Sequence, residues 1–210
     1  MTEEIAVVGD IHGNSAALSG MLRMLSDWEG LLVFTGDYVN RGPDSAGVIQ
    51  LLIDLSTGRP NTFFVAGNHD VALRDAIASG KLFSLLSMGG APTIKSYVET
   101  PKGDVGEQLR RSVPRDHIEF LSRLLPSFTH NRLVVTHGSN DPISDQAGDQ
   151  YHVYGHVPTA DGKPRIGAHS AAIDTGCGLS AGGRLTCFFW PARVAKQVDA
   201  QGVEVTTDRE

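Results

Sequence analysis

Three short motifs carry the reactive side chains of this chain: Gly9-Asp10-Ile11-His12-Gly13, Gly36-Asp37-Tyr38-Val39-Asn40-Arg41-Gly42 and Gly67-Asn68-His69-Asp70. Two later histidines sit in similar settings, Val134-Val135-Thr136-His137-Gly138 and Val153-Tyr154-Gly155-His156. Carboxylate, imidazole and amide groups together form a mixed N/O ligand set that suits manganese, iron or zinc better than calcium. Asp10 and His12, two residues apart, can reach one ion. Asp37 has two carboxylate oxygens and can bridge two ions about 3.5–4 Å apart. Asn68 adds a neutral amide oxygen. Arg41 offers a forked set of N–H donors that fits phosphate better than a lysine would. The inventory is that of a two-metal phosphoryl-transfer site.

These residues need elements that bring them to one place. Ile5 to Val8, Leu31 to Thr35 and Asn61 to Ala66 read as short β-rich runs, and each ends in one of the three motifs. Between them, Ser15 to Trp28 carries Leu18, Met21, Leu22 and Leu25 at helical spacing. A second helix is opened by Asp44 or Ser45 as cap. The first seventy residues therefore predict β-α-β-α-β with a motif at each strand's C-terminal end, where open α/β sheets place their ligands. Val71 to Leu86 and Pro114 to Leu125 read as helices, with a break at Met88 to Pro92. From Arg132 the pattern turns to strands: Leu133 to Thr136, Val153-Tyr154, Ala171 to Asp174, Leu185 to Phe189 and Val194 to Val198. Thr206 to Glu210 is expected to fray.

Composition narrows the classes. The 210 residues carry a net charge of −6 with no basic run, which argues against a general nucleic-acid binder and a polybasic membrane anchor. No apolar run is long enough to span a bilayer, and the start of the chain has no leader-like pattern. The two cysteines, Cys177 and Cys187, have no metal or redox spacing. A single domain over residues 1–210, in a reducing cytoplasm, is the expectation. Phosphate binding in so acidic a chain must rely on local charge, from metals and arginine.

Three ordered motifs and both later histidines resemble those of the PPP-type metallophosphoesterases. That calcineurin-like family includes serine/threonine protein phosphatases, small phage and bacterial phosphatases and symmetrical diadenosine tetraphosphate hydrolases. The likeness runs from Gly9 to Thr186 and includes Ile173-Asp174-Thr175-Gly176 and Gly183-Arg184-Leu185-Thr186, as in the small bacterial members. It implies an α/β four-layer metallophosphoesterase fold, a central mixed β-sandwich flanked by helices, with the helical segment 74–126 beside an open site. It implies two divalent ions, manganese above all with iron or zinc as options. Asp10, His12 and Asp37 would hold the first ion, and Asp37, Asn68, His137 and His156 the second. Catalysis would be direct attack by a hydroxide bridging the ions, with His69 as general acid and Arg41 as phosphate clamp. The implied substrate is a phosphomonoester, above all phosphoserine or phosphothreonine in a protein, or a small phosphoester. Symmetrical cleavage of dinucleoside polyphosphates is one alternative, and a catalytically weak phospho-recognition module is another.

Departures from the family pattern sharpen this reading. Asn40 stands where the family has an aspartate. It is expected to accept a hydrogen bond from His69 without stabilising its charge, giving a slower enzyme with an acid-shifted profile. Asp70 or Asp44 could replace the missing charge. Another phosphate-binding arginine between the late histidines is absent, with Arg165, Arg74 and Arg184 as substitutes to consider. The Gly155-His156 pair is followed by Val157-Pro158, so the first ion is expected to keep water where relatives have a second histidine. His117 is expected to be solvated, and His130, His152 and His169 structural or exposed.

Overall fold

The β-branched run Ile5–Val8 forms a central strand, β1, in a computed structural model that describes residues 4–141, 149–180 and 182–206. Parallel to it lie β2 (Leu31–Phe34) and then β3 (Thr62–Phe64). Helix α1 (Ser15–Met24) makes the first crossover and α2 (Ser45–Gly58) the second. Asn14 caps α1 by accepting from Ala17 N at 2.9 Å, and Asp44 caps α2 by accepting from Gly47 N at 2.9 Å. The expected β-α-β-α-β opening is present, with Asp44 rather than Ser45 as the cap.

The middle of the chain is more finely divided than its pattern suggests. Helix α3 (Asn68–Ser79) begins at the third motif and stops at Gly80, whose φ of 73° is the left-handed C-cap that glycine adopts without strain. Short helices follow: α4 (Phe83–Ser87), α5 (Ala91–Tyr97), α6 (Val105–Ser112) and α7 (Arg115–Ser122). The continuous helix expected over Val71 to Leu86 is thus two helices. α6 has no counterpart among the expected elements.

The remaining strands are β4 (Phe128–His130), β5 (Leu133–Val135), β6 (Tyr151–Tyr154), β7 (Arg165–Ile166), β8 (Ser170–Ala172), β9 (Leu185–Trp190), β10 (Val194–Val198) and β11 (Glu204–Val205). They complete two mixed sheets, a six-stranded one ordered β11-β10-β9-β1-β2-β3 and a five-stranded one ordered β4-β5-β6-β8-β7. β5, β6 and β8 run parallel to one another. The expected fraying at the end of the chain falls on residues outside those described, apart from Thr206.

Alternation along β1 shows how the layers meet. Ala6 and Val8 join one buried cluster with Leu18, Met21, Ile49 and Leu52 of the helices. Ile5 and Val7 face the other way, into a second cluster with Leu133, Val135, Val153 and Ala171 of the five-stranded sheet. The result is a pair of mixed sheets packed face to face and flanked by helices, as the resemblance implies. Among the described residues, no helix is long and apolar enough to cross a membrane.

Candidate metal centre

The C-terminal ends of β1, β2 and β3 in one sheet, and of β5 and β6 in the other, open onto the same edge of the sandwich. His12 Nε2 lies 3.7 Å from Asp37 Oδ2, His69 Nε2 3.8 Å and His137 Nε2 3.4 Å. His137 Nε2 and His156 Nδ1 are each within hydrogen-bond distance of Asn68 Oδ1, at 3.0 and 3.1 Å, and 3.0 Å from one another. Two groups of potential ligand atoms result: His12, Asp37 and His69, and Asp37, His137 and His156. Asp37 belongs to both. Asp10 sits beside them, buried, with Oδ1 accepting from Thr35 Oγ1 at 3.0 Å and Oδ2 accepting from His156 N at 3.0 Å.

The loops that carry these residues are unusual locally. Seven non-glycine residues among those described have positive φ, and five are His12, Asp37, Asn40, Arg41 and His156. Each such residue costs of order 1–3 kcal/mol, so surrounding bonds must over-determine it. Here the first two motif loops are laced together: His12 N donates to Asp37 O, Gly13 N to Tyr38 O and Gly42 N to His12 O. Asp70 supplies the third tie. Its carboxylate accepts from the backbone N of Asp37 (2.8 Å), Tyr38 (2.9 Å) and Gly67 (2.9 Å). Burial and the nearby Asp37 still push Asp70 up to about 7. Gly67 has to be glycine, because a Cβ there would lie 2.1 Å from Asp37 Oδ1.

The proton positions test whether a cation fits. His137 Nδ1 faces the carbonyl of Thr35 at 3.0 Å, and His12 Nδ1 faces that of Val39 at 3.2 Å. A carbonyl can only accept, so Nδ1 carries the proton in both rings and the neutral forms present a lone pair at Nε2. For His137 that lone pair meets Asp37 Oδ2, Asn68 Oδ1 and His156 Nδ1. The lone pairs of His137 Nε2, Asp37 Oδ2 and Asn68 Oδ1 around one point call for positive charge. Burial pulls His137 down, yet its hydrogen bond and proximity to Asp37 outweigh this and raise it to about 10. A proton there takes the place that a divalent ion would fill more completely. Burial pushes Asp37 up, but His137 outweighs it and holds the carboxylate at about 2, ionised as a bridging ligand must be. Burial lowers His12 to about 4, keeping it neutral and able to ligate. The residues present fit a divalent ion.

His69 differs from the other rings. Its Nδ1 faces the amide nitrogen of Asn40 at 2.8 Å, while Asn40 Oδ1 accepts from Thr93 Oγ1 at 2.8 Å. Ser45 Oγ, 2.8 Å from Thr93 Oγ1, completes a buried polar cluster there. Asn40 therefore donates to His69, where it was expected to accept. The proton of neutral His69 is left on Nε2, directed at Asp37. Burial, then Arg41, lowers the pKa of His69 against the pull of Asp37. Neither proposed substitute for the missing charge faces Nδ1: Asp70 is turned to the three backbone amides and Asp44 caps α2.

Arg41, Asn68, His69 and His156 line a cleft of about 660 Å³, closed on one side by Ser87–Gly89 and on another by Gly178 and Leu179. Arg41 Nη1 is 3.2 Å from His12 Nε2. Arg165 pairs with Asp161, Arg74 with Asp75, and Arg184 reaches Gln197; none of them lines the cleft. His117 corrects another expectation. It is buried, with Nδ1 2.9 Å from Tyr97 Oη and Nε2 3.2 Å from Gln50 Oε1. His152 is half-buried and structural, its Nε2 2.7 Å from Thr136 Oγ1.

Thr93, Ser45 and Asp174 were not read from the sequence as site residues. Asp174 had a signal, an apolar run ending in Asp before Thr and Gly. Asp174 is fully buried, and it contributes most among charged neighbours to raising Asp10, after burial itself.

Comparison with known proteins gives a consistent picture. The sequence profile of the calcineurin-like phosphoesterase family matches residues 4–165. A bis(5'-nucleosyl)-tetraphosphatase PrpE (asymmetrical) from Halalkalibacterium halodurans is 26% identical, with 88% of this chain and 89% of the relative covered. The protein of that name from Bacillus thuringiensis is 25% identical with the same coverage. Among solved structures, a proposed diadenosine tetraphosphatase aligns with TM-score 0.67 at 24% identity, covering 95% of this chain and 94% of its own. A protein serine/threonine phosphatase from Saccharomyces cerevisiae aligns with TM-score 0.52 at 13% identity, covering 88% and 72%. At these identities the structural likeness concerns the fold.

Proposed function

Because the chain belongs to the calcineurin-like phosphoesterase family, we propose that it hydrolyses phosphate esters at a pair of divalent ions. Asp10, His12 and Asp37 hold the first ion, and Asp37, Asn68, His137 and His156 the second. The observation that carries this reading is Asp37 standing with His12 on one side and with His137 and His156 on the other. When bound, the ions supply charge for the phosphoryl oxygens and a water acidic enough to ionise near neutral pH. Manganese, iron and zinc all suit the ligand set.

The chain's own groups do the rest. Arg41, projecting into the cleft, pairs with phosphoryl oxygens and orients the ester. The protonated form of His69 gives its Nε2 proton to the departing oxygen and keeps the proton on Nδ1, a contribution of roughly 10²–10⁴-fold in general acid catalysis. Tight packing of the motif loops keeps both in place before substrate arrives.

The substrate we favour is a phosphomonoester, with phosphoserine or phosphothreonine in a protein as the leading case. One guanidinium lines the cleft, which matches one phosphoryl group. A second reading, a dinucleoside polyphosphate, is favoured by the names of the PrpE relatives that match along nearly the whole chain. Those names specify asymmetrical cleavage, which yields nucleoside triphosphate and monophosphate from a tetraphosphate. The symmetrical reaction yields two diphosphates.

The test is incubation of the manganese-loaded protein with a phosphoserine peptide and with diadenosine tetraphosphate, with His69→Ala as control. Phosphate release and nucleotide products are read side by side. Peptide turnover lost in the control supports the first reading, and ATP with AMP supports the second. Silence on both, with phosphopeptide binding retained, would replace an enzyme by a recognition module.

A further inference from the structure

We propose that Asp174 is a positioning residue of the ion nearest Asp10 and His12, its free carboxylate oxygen accepting a hydrogen bond from a water on that ion. The inference rests on the two-ion reading of the site and extends it to a residue outside the ligand set.

The loop after β8 is fastened to the Asp10–His12 segment at both of its ends. Gly9 packs on the backbone of Ile173 so closely that a Cβ on Gly9 would lie 2.6 Å from Ile173 O. Gly178 packs on His12, where a Cβ would lie 2.4 Å from the His12 carbonyl oxygen and 2.6 Å from its Cβ. Asp174 sits between these two contacts and is 0% exposed. Its Oδ1 accepts from Gly176 N at 2.9 Å. Among the described residues its buried Oδ2 has no hydrogen-bond partner.

A buried carboxylate oxygen left without a donor is costly, of order 1–3 kcal/mol and more when the group is charged. The two oxygens of Asp10 are engaged elsewhere, accepting from Thr35 Oγ1 and from the His156 backbone N. Burial and then Asp37 disfavour ionisation of Asp174, as the Asp10–Asp174 pair does for Asp10, while Gly176 N, Arg41 and His137 favour it. A cation held by Asp10 and His12, carrying water toward Asp174, meets both needs at once. It brings an O–H donor to Oδ2 and positive charge to a pocket holding Asp10, Asp37 and Asp174. Carboxylates in this role typically change metal affinity 10–100-fold when replaced.

Calorimetric titration of the metal-free protein with Mn²⁺, paired with electron paramagnetic resonance of bound Mn²⁺, tests this in wild type and Asp174→Asn. Asparagine keeps an oxygen for Gly176 N, turns the free oxygen into a donor and removes the charge. The expected result is about 10–100-fold weaker binding at one of two sites, the other unchanged, with an altered resonance for the affected ion. Equal affinities in both proteins overturn the proposal and leave the two-ion reading intact. Equal weakening at both sites also overturns it, since Asp174 then acts only through its charge. Failure of the wild type to bind two ions overturns both. Should Asp174→Asn not fold, Asp174→Glu replaces it, with the same one-site weakening expected from a carboxylate displaced by one methylene.

Discussion

The amide nitrogen of Asn40 lies 2.8 Å from Nδ1 of His69, so that a donor faces the ring where a carboxylate would accept from it. On the far side of the amide, Thr93 Oγ1 donates to Asn40 Oδ1. A protonated His69 would turn its Nδ1–H toward the amide N–H groups. This opposes the imidazolium form, in the same direction as burial and Arg41.

Asn40→Asp should therefore raise the pKa of His69. A general acid is active when protonated, so activity falls as pH rises through its pKa. The basic limb of the pH–rate profile should move to higher pH in Asn40→Asp, with a higher rate above neutrality. Profiles of kcat/KM for both proteins decide the matter, and identical basic limbs would refute the assignment of His69 as acid.

Asp70 should be a stability residue of the site loops. Asp70→Ala leaves three backbone N–H groups without their acceptor, at about 1–3 kcal/mol each when buried. A loss of about 3 kcal/mol or more is expected in urea unfolding of the metal-free protein. A change below about 1 kcal/mol would mean that water or a neighbour takes over the amides.

Gly155 should be irreplaceable for a reason specific to Asp10. A Cβ at Gly155 would lie 1.9 Å from Asp10 Oδ1, so Gly155→Ala must displace the carboxylate. Misplacement of a site group by about 1 Å can cost 10²-fold in rate. We expect a loss of that order, against no loss in Gly182→Ala, where the added methyl meets open space. Equal rates in the two variants would show that Asp10 tolerates movement.

His117 should couple stability to pH away from the metal site. Burial lowers its pKa, with Asp116 opposing. The unfolded chain, with a histidine value near 6.5, takes up a proton first as pH falls. The stability contributed by neutral His117 is thus present above about pH 6.5 and is lost as pH falls toward the folded value. Urea midpoints at about pH 7.5 and about pH 5.5 should differ less in His117→Gln than in wild type. An unchanged difference would show that the ring titrates alike in the folded and unfolded chain.

The strands that end in Asp10, Asp37 and Asn68 were legible because their signals are local. A short β-branched run followed by Gly and a polar residue marks a strand end wherever it occurs. Parallel strands carry such ends to one edge. The family likeness and the ligand inventory follow from the same short stretches. The helical middle was less legible, because Gly80 interrupts a pattern whose apolar residues continue on both sides.

Residue types and order establish which side chains stand at the strand ends and which chemistry they can support. Folding fixes how each is presented. Asn40 is held between His69 and Thr93, and Thr93 lies 53 residues away. The burial of His117 depends on Tyr97 and Gln50, which belong to other helices. The burial of Asp174 accompanies the close packing of its loop on Gly9 and, through Gly178, on His12. Residue types and spacing report local geometry. The direction of a hydrogen bond and the dielectric around a charge are set by neighbours that only folding brings together.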